Sequence, residues 1–166
     1  MPYGWTGLLP MGTGPMTDGL MESALRICAA VVAGGVVGLN RDLHGKPTGI
    51  RAHALVALGA ALFVMASTEL ALAGSDANTV SRVIQGEVGG IGFLGAGVIL
   101  RGADDQRIFH VATAASIWVT AALGVACGIG AWRLVVPAAI AVMVILVVGS
   151  RIDRGLRGKL GAEEDP

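Results

Sequence analysis

The chain has 166 residues, 54% of them hydrophobic and only 14% charged, where an ordinary soluble domain carries about 25% charge. That balance excludes a conventional soluble globular domain, and a formal net charge of zero gives nucleic-acid binding no support. The length admits one compact bundle and no second domain.

A helix needs about 20 mostly apolar residues to cross the hydrocarbon core of a bilayer, and five segments qualify. Residues 1–19 precede them as a flexible tail rich in Gly, Pro and Met. The tail lacks the basic start of a secretory signal, and Trp5, Leu8 and Leu9 are its candidates for touching the membrane surface. The first span is predicted over 20–39. It carries Glu22, Arg26, Ala30, Gly34 and Gly38 at steps of four, neighbours along one slowly drifting helix face. Gly34 and Gly38 form a small-xxx-small seam suited to a close helix crossing. Glu22 stands four residues before Arg26, the favourable order for an ion pair. Arg26 has two readings: it snorkels to the outer interface, or it pairs with an acid on another span.

The joint 40–49 is dense in polar groups, and Gly45, Pro47 and Gly49 give it turn chemistry. Asn40, Arg41, Asp42, Lys46, Arg51 and His53 are read as a polar cytoplasmic cap, joined by Arg101, Asp104, Asp105, Arg107 and His110. The alternative is a positive anchor on lipid headgroups. Pro47 suits the entry to the second span, 50–73, with Thr48 as its candidate cap.

The third span, 83–100, contains the run from Gly89 to Leu100, half of it Gly or Ala. In water it would be a poor helix, because each interior Gly costs about 1 kcal/mol against Ala. In lipid the backbone must close its hydrogen bonds internally, and small side chains admit a neighbouring helix. Gly86, Gly90, Gly92, Gly95 and Gly97 are therefore read as helix-packing positions, and this span as the tightly packed centre of the bundle. Gln85 and Glu87 lie in it, and with Arg26 they are the intramembrane polar residues. An ionisable group inside a span is costly and marks a candidate functional site. Glu87 is expected to pair with Arg26 or Arg82; a snorkelling or protonated acid is the alternative.

The fourth span, 111–130, has Thr113, Ser116, Thr120, Gly124 and Cys127 at steps of three and four. This small, weakly polar face is expected to pack toward the glycine helix. The fifth, 134–149, is almost wholly Val, Ile, Leu and Ala and reads as the most lipid-exposed. Pro137 falls in its first turn, where the missing N–H does little harm. Residues 151–166 form a tail, basic and then acidic. Lys and Arg gather in the joint 40–51, at Arg101 and Arg107, and in the tail, while only Arg82 and Arg133 lie opposite. That bias predicts an all-α, polytopic membrane helix bundle of five transmembrane helices, N-terminus outside and C-terminus cytoplasmic. The membrane domain then occupies 20–150.

Catalytic patterns fail on context. Gly90-x-Gly92-x-x-Gly95 matches a dinucleotide fingerprint, but it sits within a continuous apolar helix with no preceding strand. His44, His53 and His110 lack metal-ligand spacing and are expected at the surface or interface. Cys28 and Cys127 fall in apolar runs and read as small buried hydrophobes rather than a disulfide. No enzyme activity and no cofactor is expected, and no metal ligand is assigned.

Three stretches carry a family likeness. The first is Gly38-Leu39-Asn40-Arg41-Asp42 through Gly45-Lys46-Pro47-Thr48-Gly49-Ile50-Arg51-Ala52-His53-Ala54-Leu55. The second is Arg82-Val83-Ile84-Gln85-Gly86 leading into Gly90-Ile91-Gly92-Phe93-Leu94-Gly95-Ala96-Gly97, and the third runs from Thr113-Ala114-Ala115-Ser116 to Gly124. In order and spacing they resemble the membrane domain of the MgtC/SapB family of bacterial inner-membrane proteins, over residues 22–149. The resemblance implies a five-span domain in the plasma membrane and a role in adaptation to low magnesium and, in pathogens, in virulence. It implies action by binding other membrane components, such as the F-type ATP synthase, and a short form without a soluble C-terminal domain. A magnesium or other ion transporter or channel is the alternative function, and a homo-oligomer is a further partner to consider. Asn40 and Asp42 stand where the family often has Glu, and Glu87 where it usually has an apolar residue. His110-Val111-Ala112 stands where it usually has Gly-Leu-Thr.

Overall fold

The computed structural model of the protein describes residues 16–46, 48–74, 76, 78–100 and 111–160. Among these described residues there are five helices: α1 Met16–Leu43, α2 Ile50–Leu72, α3 Thr79–Leu100, α4 Val111–Gly128 and α5 Trp132–Leu160. No strand occurs among the described residues. Each predicted span finds a helix, with shifted ends. α1 continues to Leu43, so Asn40, Arg41 and Asp42 belong to its last turn and not to the joint. α5 begins at Trp132, which places Pro137 in the second turn rather than the first, and it continues to Leu160.

Four helices are long and apolar enough to cross a membrane, over Gly19–Leu43, Ile50–Leu72, Val111–Gly128 and Trp132–Ile152. α3 is not among the four found in the described residues; Arg82, Gln85 and Glu87 lie in its first half. α1, α2 and α4 pack closely together, α3 leans on α2 and α4, and α5 touches α4 and α1. Half of α4's spanning residues are buried against 6% of α5's, so α4 is a core helix and α5 a rim helix.

The core is built from small side chains. Ala30, Ala57, Ala61 and Cys127 form one cluster with Val135; Ala60, Ile91, Ile117 and Ala121 form another. Glycines bring the backbones closer still. A methyl group on Gly34 would collide with the His53 carbonyl, one on Gly124 with the Ala57 carbonyl, and one on Gly128 with Val64. Lipid tails are as apolar as leucine, so close van der Waals contact of this kind is what holds helices together in a bilayer.

The packed centre is therefore the α1–α2–α4 unit. This corrects the expectation that the glycine-rich third helix occupies that place. Among the described residues a methyl group on Gly86, Gly89, Gly90, Gly92 or Gly97 of α3 would meet nothing within 4 Å, and one on Gly95 would lie 3.5 Å from Ala114. The weakly polar face of α4 is buried as expected, but it turns to α2 and α1 instead of α3: Gly124 abuts Ala57 and Cys127 packs with Ala30 and Ala61.

The α1–α2 turn is fixed by Gly45 at φ 61°, where a left-handed backbone favours glycine. Gly45 N–H donates to the Asp42 carbonyl and Lys46 N–H to the Arg41 carbonyl, both at 3.0 Å. α2 is capped from a distance. Ile50 N–H donates to Asp42 Oδ2 at 2.9 Å, so the carboxylate of Asp42, and not Thr48, serves the helix start. A negative charge there also suits the positive end of the helix dipole.

Candidate functional site

Five polar side chains are buried together at the Arg41 end of the three-helix unit. Arg41 is 3% exposed, Thr113 2%, Ser116 4%, and His53 and Thr120 0%. Burial without hydrogen bonds would cost each of them heavily, and the helices supply partners across their faces. Arg41 Nη2 donates to Thr113 Oγ1, joining the last turn of α1 to the first turn of α4. His53 Nδ1 lies 3.1 Å from the Gly49 carbonyl, and Nε2 lies 3.1 Å from Ser116 Oγ. A carbonyl only accepts, so Nδ1 carries a proton. In the neutral ring Nε2 then accepts, and the single Ser116 hydroxyl proton is shared between Nε2 and the Thr113 carbonyl, 2.7 Å away. Thr120 Oγ1 donates to the Ser116 carbonyl at 2.8 Å. The His53–Ser116 contact joins α2 to α4 and works as a fastening between the two helices.

The six predicted cap residues thus divide. Arg41 and His53 go inside, which corrects the expectation of a surface histidine at 53. Asp42 caps α2, Asn40 is half-buried, and Lys46 and Arg51 are exposed. His44 is exposed, its Nδ1 2.7 Å from the Asn40 carbonyl. Arg101, Asp104, Asp105, Arg107 and His110 lie outside the described residues.

At the opposite end, Arg26 Nε donates to Glu22 Oε1 at 2.8 Å and Nη1 to the Gly128 carbonyl at 3.0 Å. The cation meets the negative C-terminal end of α4, a favourable place for it. The Glu22–Arg26 pair is the one that the spacing of four offered in the sequence, while the partner of Arg26 on another span is a backbone carbonyl and not an acid. Gly130, at φ 72°, turns the chain beside the guanidinium. Gly128 went unrecognised in the sequence, although Gly124-x-x-x-Gly128 repeats the spacing of Gly34-x-x-x-Gly38.

Glu87 is not brought to Arg26. It lies between a cavity of about 640 Å³ bounded by α2 and α3 and one of about 250 Å³ bounded by α3 and α4. Its Oε2 is buried and has no hydrogen-bond partner among the described residues. Gln85 and Arg82 are exposed on α3. Gly34 and Gly38 lie against α2, while Gly86, Gly90, Gly92 and Gly97 stand open and Gly95 meets α4. Cys127 is buried, whereas Cys28 is exposed on α1. Among the described residues no three His, Cys, Asp or Glu side chains gather as a metal site.

The sequence profile described as the MgtC family matches residues 27–155. The chain is 44% identical over 119 residues to Protein SrpB of Synechococcus elongatus, covering 67% of this chain and 65% of that one. It is 35% identical over 145 residues to the putative magnesium transporter YhiD of Escherichia coli strain K12, covering 83% and 65% respectively. Protein MgtC of Salmonella typhimurium strain LT2 is 35% identical over 119 residues, covering 72% of this chain and 48% of that one. The match thus spans less than two thirds of these relatives' own length. No solved structure matches the chain. With four helices fit to cross a bilayer and relatives of this kind, the chain belongs to the MgtC family and is a multi-pass protein of the bacterial inner membrane.

Proposed function

We propose that the protein is a regulatory membrane protein that acts by binding another membrane component through α3. One observation supports this: among the described residues a methyl group on any of five α3 glycines would meet nothing within 4 Å, while Gly34 and Gly38 of α1 and Gly124 and Gly128 of α4 are pressed against α2. A small-residue face admits a second helix to backbone contact, and here that capacity is unspent. In this reading α3 is the fifth span, with the N-terminus outside and the Arg41 end cytoplasmic, as the Lys and Arg bias requires. The family resemblance supplies the partner to test first, the F-type ATP synthase, and the setting of low magnesium and virulence. Association with a second copy is the competing occupant of the same face. Mild-detergent purification of the tagged chain, with and without Gly89→Leu and Gly92→Leu, tests the idea. Recovery of ATP synthase subunits that falls at least fivefold in the variants supports it; equal recovery from all three chains overturns it.

A second reading is a magnesium transporter or channel. Glu87, whose Oε2 is buried and which borders two cavities, favours it, and YhiD carries that description. Mg²⁺ keeps an octahedral shell of oxygens, and one carboxylate supplies little of that. Mg²⁺ flux in sealed vesicles, abolished by Glu87→Gln, would establish this reading over the first.

A further inference from the structure

A cavity of about 670 Å³ lies between α1, α4 and α5 at the Arg41 end. Its origin is the way α5 is attached. α5 joins the bundle at the opposite end, where Val135 is buried and Trp132 packs on the Ala30–Cys127 cluster. Farther along, Val142, Ile145 and Leu146 bound the space on one side and Ala112, Ala115 and Val119 of α4 on the other. Those walls are apolar. The mouth is basic: Arg41, His44 and Lys46 line it, and among the described residues no Asp or Glu does. The turn geometry accounts for this. With Gly45 in the left-handed region and Lys46 N–H bonded to the Arg41 carbonyl at 3.0 Å, the chain folds Lys46 back beside the last turn of α1. The buried hydroxyl-bearing Ser116 also reaches the wall.

The slot is therefore amphiphilic, with positive charge where the helices emerge and hydrocarbon-like walls toward mid-depth. A free anion would use only the mouth, and a neutral chain only the walls. Its volume falls within the roughly 300–1,000 Å³ typical of small-ligand sites. We propose that it holds one anionic phospholipid, with the phosphate at Arg41 and Lys46 and an acyl chain between α4 and α5. The cytoplasmic leaflet, where the charge bias puts this end, is the one rich in such lipids. The inference rests on the membrane orientation above and is independent of any protein partner.

The test is native mass spectrometry of the purified full chain in neutral detergent, titrated separately with phosphatidylglycerol, phosphatidylcholine and inorganic phosphate. One phosphatidylglycerol is retained, about 25-fold more tightly than phosphatidylcholine, on the usual scale of two basic contacts near a lipid surface. Lys46→Ala lowers that preference about fivefold by the same scale. Ala115→Phe fills the slot and removes phosphatidylglycerol retention. Both positions are exposed, so size-exclusion and circular-dichroism profiles should match the parent. Equal retention of the two lipids overturns the proposal. So does retention that survives Ala115→Phe, which would put the lipid on the outer belt of the bundle. Displacement by inorganic phosphate alone, or a lipid-free dimer that Ala115→Phe splits, overturns it as well. Loss of a co-purifying protein leaves these readings unmoved and bears only on the regulatory role.

Discussion

Gly34, Gly38, Gly124 and Gly128 on α1 and α4 are pressed against α2, whereas among the described residues a methyl group on Gly86, Gly89, Gly90, Gly92 or Gly97 of α3 would meet nothing within 4 Å. Both sets sit on helices, and both include pairs four residues apart. In the first set the missing side chain is occupied by a neighbour's backbone, so the glycine is a structural necessity of the monomer. In the second the missing side chain leaves space unfilled, at Gly86 and Gly90 beside the cavity between α2 and α3. Glycine spacing therefore states that a helix can be approached closely, and leaves open what approaches it.

That contrast can be broken by substitution. Gly124→Ala drives a methyl group into the Ala57 carbonyl and is expected to cost about 3 kcal/mol, the upper part of the usual overpacking range. Thermal unfolding in detergent micelles reads this directly, and a parent-like midpoint would mean that α2 and α4 are not in backbone contact. Thr113→Val leaves the buried Arg41 without its hydroxyl partner, and a loss of about 2 kcal/mol follows for a hydrogen bond to a charged group. Asp42→Ala removes the carboxylate that serves Ile50 N–H and is expected to cost about 1 kcal/mol, while Asp42→Asn keeps an acceptor and most of the stability. Gly92→Ala has the smallest effect: on an open face it is neutral or stabilises the helix by up to about 1 kcal/mol. Should Gly92→Ala prove as damaging as Gly124→Ala in the isolated chain, the difference between the two sets would vanish.

Much of the fold was legible because apolar runs of spanning length leave few alternatives to a helix in lipid. The close crossing at Gly34 and Gly38 was legible from spacing alone. The partner of each face was not. Thr113, Ser116 and Thr120 signalled a buried small face on α4, but nothing local to them states that the neighbour is α2. His53 looked like an interfacial residue because its partner, Ser116, lies 63 residues away. Thr48 looked like the cap of α2 because it is adjacent, yet the chain folds Asp42 in from eight residues upstream. α3 was read as central because its glycine content is extreme. Its charged first half, Arg82 to Glu87, was the contrary signal, since polar groups there are cheapest at a periphery with access to an interface.

The Arg26–Gly130 contact has a consequence for how the chain tolerates exchange. A Cβ at position 130 would lie 2.9 Å from the guanidinium, which is itself tied to Glu22 and to the Gly128 carbonyl. A side chain at position 130 is thus opposed twice, by the left-handed backbone there and by the guanidinium beside it. A chimera that splices the first helix of one relative onto the remainder of another inherits a misfit at this point unless both donors carry compatible residues there.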